Sequence, residues 1–135
     1  MKIMVCHDGS KDAQNALDQV ITMFKPQKPE ILLLTVVEGG SDASMVNEEI
    51  FEKARAEGHD FLQKTSKDIA RHGFDVDAIL AVGDPRKMIT EAVGDKKPDI
   101  LVIAKRGGGI LENISLGSVS AYVVRHVKCP VLVFH

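Results

Sequence analysis

Residues 31–37 read Ile-Leu-Leu-Leu-Thr-Val-Val, which is the longest apolar run of the sequence. A strand built from it is apolar on both faces, because six of its seven residues are aliphatic. Strands of that kind lie inside parallel sheets that carry helices on each side. The stretch therefore predicts an interior strand of an α/β protein.

Two sequence patterns alternate along the rest of the chain. Short apolar runs at residues 3–6, 76–82, 99–104 and 131–134 predict four more strands, and apolar residues spaced three and four apart predict helices between them. Strict alternation of strand and helix predicts a parallel sheet in a three-layer α/β/α sandwich. We expect the five strands in the order 3-2-1-4-5, because doubly wound sheets of this size commonly reverse direction after their third strand.

Helix boundaries are marked by capping residues, glycines and prolines. The second helix is the longest, over about residues 43–72, and the fourth runs from Gly117-Ser118 through about His126. Gly73 is expected to end the second helix, Ser10 and Pro26 mark the two ends of the first, and Asp84 and Pro85 start the third.

Length and composition restrict the class of protein. The 135 residues are expected to form one domain over residues 1–135, since about 150 residues is a usual domain size. A net charge of −2 excludes a general basic field for nucleic acid or an anionic membrane. No apolar run approaches the roughly 20 residues of a membrane helix, and we expect a cytoplasmic protein. Cys6 and Cys129 form no metal motif and are expected to be buried free thiols too far apart to pair.

The expected strand order places a crevice between the first and fourth strands, whose following loops diverge. The segments that meet there are residues 7–10 and 105–118. Residues 107–109 are three glycines, which allow backbone amides to approach a ligand, and Gly117 stands at a helix start that favours an anion such as phosphate. Lys105 and Arg106 could add positive charge. The alternative is a surface loop followed by an ordinary helix cap.

Asp8 is the acidic residue of the first segment. A carboxylate repels phosphate, so its useful role is to accept hydrogen bonds from sugar hydroxyls or from waters around a metal ion. Turn formation explains the Asp-Gly-Ser sequence equally well. His7 is interpreted as a turn residue.

The chain resembles the universal stress protein family over essentially its whole length. The resemblance is carried by the strand that ends in Asp8-Gly-Ser, by the end of strand 2 at residues 34–37, and by residues 82–85, Val-Gly-Asp-Pro. Its most specific part is the family's nucleotide motif, Gly-x-x-Gly, nine residues, then Gly-Ser or Gly-Thr. Gly107, the nine residues after it and Gly117-Ser118 match the second half, whereas Ala104 stands where the motif has its first glycine.

The resemblance implies a Rossmann-like fold of the adenine nucleotide alpha hydrolase type and ATP as the ligand, with or without Mg²⁺ or Mn²⁺. Asp8 would contact the ribose, and the backbone of Val36 would contact the adenine. The other nucleotide-binding residues that it implies are Ile103 and Ala104 in the nucleoside pocket and Gly107, Gly117, Ser118 and Val119 at the phosphates. Another branch of the family lacks the motif and binds no ATP, and the retained spacing groups this chain with the binders.

No catalytic residues and no protein metal site are predicted. The sequence lacks a P-loop and offers no evident base for hydrolysis. The apolar last strand, Val131 to Phe134, is expected at a sheet edge that invites pairing with a second copy, and the family is thought to dimerise in this way. The function expected is that of an ATP-binding regulatory dimer in the stress response. The alternatives are a nucleotide-free interaction module and a slow ATP hydrolase or nucleotidyl-transfer enzyme.

Overall fold

The structure is a computed structural model and describes residues 1–38, 48–105 and 117–135. Strands and helices alternate along these ranges. The elements are β1 (Lys2–Cys6), α1 (Lys11–Met23), β2 (Glu30–Val37), α2 (Glu48–Arg71), β3 (Val76–Val82), α3 (Pro85–Lys96), β4 (Ile100–Ala104), α4 (Ser118–His126) and β5 (Val131–Phe134). Residues 43–47 of the predicted second helix, together with Arg106 and Gly107, lie outside the described ranges.

The strands form a parallel sheet in the order β3-β2-β1-β4-β5, which confirms the predicted fold and strand order. β1 lies at the centre, where Ile3 is aligned with Ile31 of β2 and with Ile100 of β4. Residues 31–35 of the aliphatic stretch of β2 are all buried, as predicted.

The two faces of the sheet are covered by different helices. Ile3 and Val5 of β1 pack with buried residues of α1 and α2, whereas Met4 packs with buried residues of α3 and α4. Alternate residues of a strand point to opposite faces, so a central strand that is apolar throughout contributes to both cores. The arrangement is the three-layer sandwich that the sequence predicts.

Local signals start and end the helices where they were expected. Ser10 caps α1, since its Oγ accepts the Ala13 N–H at 3.1 Å, and Asp84 caps α3 with Pro85 in the first turn. Gly73 follows α2 with φ +88°, a left-handed conformation that favours glycine. Among the described residues, no helix is both long and apolar enough to cross a membrane.

The reversal of strand order creates the crevice. After β1 the chain continues into α1 on one face of the sheet, whereas after β4 it continues toward α4 on the other face. The carboxyl ends of these two neighbouring strands are therefore left open between the departing segments.

Candidate functional site

A cavity of about 350 Å³ lies at the carboxyl ends of β1, β2 and β4. The structure brings seven of the eight residues predicted for the site to its wall, and Gly107 lies outside the described ranges. The seven are Asp8, Val36, Ile103, Ala104, Gly117, Ser118 and Val119. Residues distant in sequence thus meet at the place that the strand order predicted, whereas their contacts with a ligand remain a prediction.

One side of the cavity is apolar. Leu34 and Val36 of β2, Ile89 of α3 and Ile103 of β4 line it, and three of them belong to one hydrophobic core with Val36 packed against it. These side chains are held by the sheet and by a buried helix face, so the wall is formed before any ligand arrives. A wall of this kind suits a flat, weakly polar ring.

The turn over residues 8–10 forms a polar part of the wall. Asp8 Oδ1 accepts the Ser10 N–H at 2.9 Å, and Gly9 adopts φ +84°. Asp8 and Ser10 both line the cavity, and Ser10 also caps α1. The turn chemistry predicted for Asp-Gly-Ser is therefore present, and it leaves the Asp8 carboxylate at the cavity.

The start of α4 forms the opposite part of the wall. Gly117 is its N-cap, with φ −62° and ψ 162°, and no side chain caps the helix within the described residues. A Cβ on Gly117 would meet no described atom within 4 Å. Neither the backbone conformation nor the described neighbours therefore require glycine there. The first N–H groups of a helix lack acceptors within the helix and lie at the positive end of its dipole, so this end favours an anion.

The interpretation of His7 as a simple turn residue is wrong. His7 is 2% exposed, its Nδ1 lies 3.0 Å from the Gly9 nitrogen, and its Nε2 lies 3.1 Å from Gln14 Oε1. Burial holds the pKa of His7 below its ordinary value, against the opposing effects of Gln14, Asp8 and Asp18. The alternation of β1 offered a signal, because a residue two positions after Val5 faces the same core.

Lys105 does not join the cavity. It is buried after β4, its N–H donates to the Phe134 carbonyl oxygen at 2.7 Å, and its side chain is absent from the cavity wall. The expectation that Lys105 adds charge near a bound anion therefore finds no support in its position.

Both cysteines are free thiols, and both are half-buried rather than buried as the sequence predicted, because Cys6 is the last residue of β1 and Cys129 lies just before β5. Cys6 lies on the cavity wall, and burial raises the pKa of its thiol to about 12, with the Cys129 thiol contributing in the same direction. Burial likewise raises the pKa of Cys129. Within residues 1–38, 48–105 and 117–135, no group of three His, Cys, Asp or Glu side chains is arranged to hold a metal ion.

A doubly wound parallel sheet with an open cavity where the strand order reverses defines a Rossmann-like α/β protein. The family model described as universal stress protein family matches residues 1–135. The chain belongs to the universal stress protein family.

Individual relatives resemble it over most of their length. Universal stress protein MJ0531 of Methanocaldococcus jannaschii is 32% identical over 136 residues, which cover 98% of this chain and 80% of that protein. The solved structure of the protein MJ0577 has a TM-score of 0.85 at 30% identity and covers 98% of this chain and 94% of its own.

Two solved relatives contain nucleotides. A universal stress protein family member of Arabidopsis thaliana with AMP bound has a TM-score of 0.76 at 24% identity, covering 99% of this chain and 90% of its own. A universal stress protein in complex with cAMP has a TM-score of 0.72 at 24% identity, covering 100% and 96%. At these identities the two structures establish a shared fold.

Proposed function

We propose that this protein is a regulatory universal stress protein that binds an adenine nucleotide, with ATP as the principal ligand. The observation that carries the proposal is the cavity, because it combines an apolar wall, a carboxylate and an uncapped helix start within about 350 Å³. A nucleoside phosphate has three parts that match these features in the same order.

The base fits the apolar wall. Val36 and Ile103 face the cavity from β2 and β4, and an adenine ring between them would be removed from water on both faces. Polar groups of main chain can then recognise the edge of the ring, which is the role proposed for the backbone of Val36. Ile103 and Ala104 complete the nucleoside pocket, with the methyl group of Ala104 at the place where the family motif has a glycine.

Ribose hydroxyls are donors that suit Asp8. The carboxylate is held at the wall by the 8–10 turn, so its position is set before binding. A hydrogen bond to a charged acceptor is stronger than one to a neutral acceptor. Asp8 therefore contributes both affinity and a preference for a sugar over a plain hydrocarbon.

The phosphates belong at the start of α4. Gly117, Ser118 and Val119 line the cavity there, and the Ser118 hydroxyl can donate in addition to the backbone N–H groups. Gly107 would contribute from the other half of the motif. ATP brings Mg²⁺ or Mn²⁺ with its phosphates, and Asp8 could accept hydrogen bonds from the waters of such an ion.

The AMP and cAMP complexes of the two relatives support an adenine nucleotide as the ligand class. The choice of ATP follows from the retained Gly107 to Gly117 spacing. We propose little or no turnover, because the sequence contains no P-loop and no motif that places a base for hydrolysis. The regulatory unit is a dimer formed through β5 by a single domain over residues 1–135, and a cytoplasmic location remains a prediction.

Calorimetric titration of the purified protein with ATP, ADP and AMP tests the proposal. Mass spectrometry of small molecules released on denaturation gives a second measurement that does not depend on the ligand chosen. We expect saturable binding with ATP tightest and phosphate release no faster than background. Absence of binding to all three at millimolar concentration would contradict the proposal and favour a nucleotide-free interaction module, whereas steady phosphate release that Asp8→Asn abolishes would favour an enzyme.

A further inference from the structure

Two hydrogen bonds of its backbone hold His7 in place, independently of its side chain. Its N–H donates to the Leu34 carbonyl oxygen at 2.8 Å, and its own carbonyl oxygen accepts the Thr35 hydroxyl at 2.9 Å. The residue therefore extends the pairing of β1 with β2 one step beyond the strand, into the buried edge of the cavity.

The contacts of the ring fix the position of its proton. The Gly9 N–H can only donate, so Nδ1, 3.0 Å away, accepts and carries no proton. Nε2 then carries the proton of the neutral ring and donates to Gln14 Oε1 at 3.1 Å. The Phe61 ring of α2 closes the remaining side in an edge contact, with 4.7 Å between ring centroids.

The Gly9 hydrogen bond lies at the middle of the turn that supplies the cavity with Asp8 and Ser10. Gly9 holds φ +84°, a conformation that a free chain leaves easily, and the ring nitrogen is the acceptor that satisfies its N–H. The residues on each side of Gly9 both line the cavity. Loss of the ring contact would therefore displace part of the wall.

We propose that His7 is a positioning residue of this site: its neutral ring holds the 8–10 turn in the binding shape, and a proton on Nδ1 releases the turn and weakens nucleotide binding. The nucleotide part of this inference rests on the proposed function. Protonation would set two donors, Nδ1–H and the Gly9 N–H, against each other at 3.0 Å.

The groups around the ring decide where this change falls on the pH scale. Asp8 of the turn and Asp18 of α1 favour the charged ring, as does the Gln14 oxygen, but burial outweighs them and lowers the pKa of His7 from 6.5. Thr35 of β2 and Phe61 of α2, which contact the residue from the other elements, are uncharged. The pKa of His7 therefore lies below its ordinary value, and the neutral ring is favoured near neutral pH.

Two variants distinguish the loss of the hydrogen-bond acceptor for the Gly9 N–H from the loss of a side chain that can be protonated. In His7→Asn the side-chain oxygen can reach the place of Nδ1 and accept the Gly9 N–H, but it does not titrate. In His7→Leu the volume is retained and the acceptor is lost. ATP affinity is measured by calorimetry from pH 8 to pH 5, and thermal unfolding shows at each pH whether the protein is folded.

At pH 8 we expect His7→Asn to bind within about threefold of the native protein and His7→Leu about tenfold more weakly, since one buried hydrogen bond is lost. The ionisation of ATP itself affects native protein and His7→Asn equally. The ratio of their affinities isolates His7, and we expect it to change against the native protein as the pH falls through the His7 titration that nitrogen-15 spectra record. A ratio that stays constant while the His7 ring gains its proton would overturn the proposal.

A nucleotide-free measurement separates this inference from the proposed function. Nitrogen-15 spectra of the native protein should show the Nε2-protonated ring at pH 8 and a Gly9 amide shift that follows the His7 titration. A Gly9 shift that ignores the titration overturns the role of His7. A Gly9 shift that follows it, in a protein that binds no nucleotide at any pH, upholds the control of the turn by His7 and overturns the proposed function instead.

Discussion

Asp8 serves the local fold and the proposed site through the same side chain. Its Oδ1 accepts the Ser10 N–H and closes the turn, while the carboxylate carries the charge that a sugar hydroxyl would contact. Asparagine forms the same type of turn through its amide oxygen. The two duties can therefore be separated by a change of charge alone.

Asp8→Asn is expected to weaken ATP binding about tenfold, because a charged hydrogen bond is replaced by a neutral one. The unfolding free energy should change little, since the turn bond to Ser10 survives. Calorimetry and urea denaturation measure the two effects. Asp12→Asn, an exposed change in the first turn of α1, is the matched control and should leave affinity unaltered. Equal affinity of Asp8→Asn and the native protein would remove Asp8 from the site.

Cys6 is expected to resist alkylation in the folded protein. With a pKa of about 12 its thiolate population at pH 8 is about a thousandfold below that of a thiol with the ordinary pKa of 9.0. Iodoacetamide followed by peptide mass spectrometry should show slow modification of Cys6 in buffer and fast modification in urea. Rapid modification of Cys6 in buffer would contradict the raised pKa of this thiol.

The same raised pKa links stability to alkaline pH. The unfolded chain loses the Cys6 proton near pH 9, whereas the folded protein keeps it until about pH 12. The stabilisation is therefore complete below pH 9 and is lost as pH rises toward 12. Cys6→Ala should remove this part of the pH dependence when the free energy of unfolding is measured by urea denaturation between pH 8 and pH 11. If the variant loses as much stability with rising pH as the native protein does, groups other than Cys6 are responsible.

The roles of individual residues could be predicted where a sequence motif indicates them. They were missed where contacts between distant segments determine the environment of the side chain. Asp8, Val36, Ile103 and Gly117 were predicted from spacing and resemblance, and they do line one cavity. The environment of His7 depends on Gln14 of α1 and Phe61 of α2, which no local pattern connects to it. The burial of Lys105 is likewise a result of packing rather than of sequence.

Among the helices and strands, α4 is the element whose N-terminus is proposed to bind an anion, and its N-cap residue is Gly117. Serine, threonine, asparagine and aspartate cap helix starts better than glycine, and Gly117 also has an unstrained φ of −62°. Other residues would therefore fit the helix at this position at least as well. Close approach of a ligand to the backbone at residue 117 would require the absence of a side chain, and this requirement would explain the glycine.

Gly117→Val is expected to weaken ATP binding at least about tenfold, because the side chain would occupy space beside the first N–H groups of α4. The helix itself should persist, with a loss of about 1 kcal/mol at most, since no described atom lies within 4 Å of the new Cβ. Calorimetry and thermal unfolding measure the two quantities.

Gly94→Ala is the control for that change. Gly94 is exposed within α3, an added Cβ meets no described atom within 4 Å, and alanine is the better helix former. This variant should gain about 0.5 to 1 kcal/mol of stability and bind ATP as the native protein does. Unchanged affinity in Gly117→Val would show that α4 does not contact the phosphates.

The boundaries of the elements were predictable because each is set by local chemistry. Ser10 and the pair Asp84-Pro85 start helices as their hydrogen-bonding and fixed φ dictate, and Gly73 accommodates a left-handed conformation. Strand β4 begins at Ile100, one residue after the predicted Asp99, whose carboxylate accepts the Lys2 N–H.

For the whole molecule, the outer edge of β5 is the surface that bears on assembly. Leu101 and Lys105 donate their N–H groups to the carbonyl oxygens of Pro130 and Phe134. Because bonding groups alternate along a strand, the N–H and C=O groups of Val131 and Val133 point away from β4. They could pair with the same groups of a second copy around a twofold axis.

Val133→Pro is expected to convert a dimer to a monomer. Proline removes the outward N–H of β5 without removing a donor to β4, so the fold should survive. Size-exclusion chromatography with light scattering measures the mass, and Val133→Thr, which keeps the N–H, should remain dimeric. A native protein that is monomeric, or a Val133→Pro protein that is still dimeric, would contradict pairing through this edge.

The strand order required more than the alternation of elements. Alternation restricts the chain to parallel sheets, but the reversal after β3 depends on which strands can be buried on both faces. β3 has exposed residues at Asp77, Ala78 and Val82, consistent with its place at an edge, and β2 has the continuous apolar run of an interior strand. The sequence carried that information, whereas the shape of the cavity depends on packing between distant segments.

The pairing of β1 with β4 joins the strands of the first half of the chain, β1 to β3, to those of the second half, β4 and β5. Ile3, Met4 and Val5 are aligned with Ile100, Leu101 and Val102, and the cavity opens at the end of that same junction. A nucleotide held between Asp8 and the start of α4 would contact both halves. Partial unfolding that separates β1 from β4 would then require the nucleotide to dissociate first. Bound nucleotide would therefore lower the rate of the slowest opening motions of the protein.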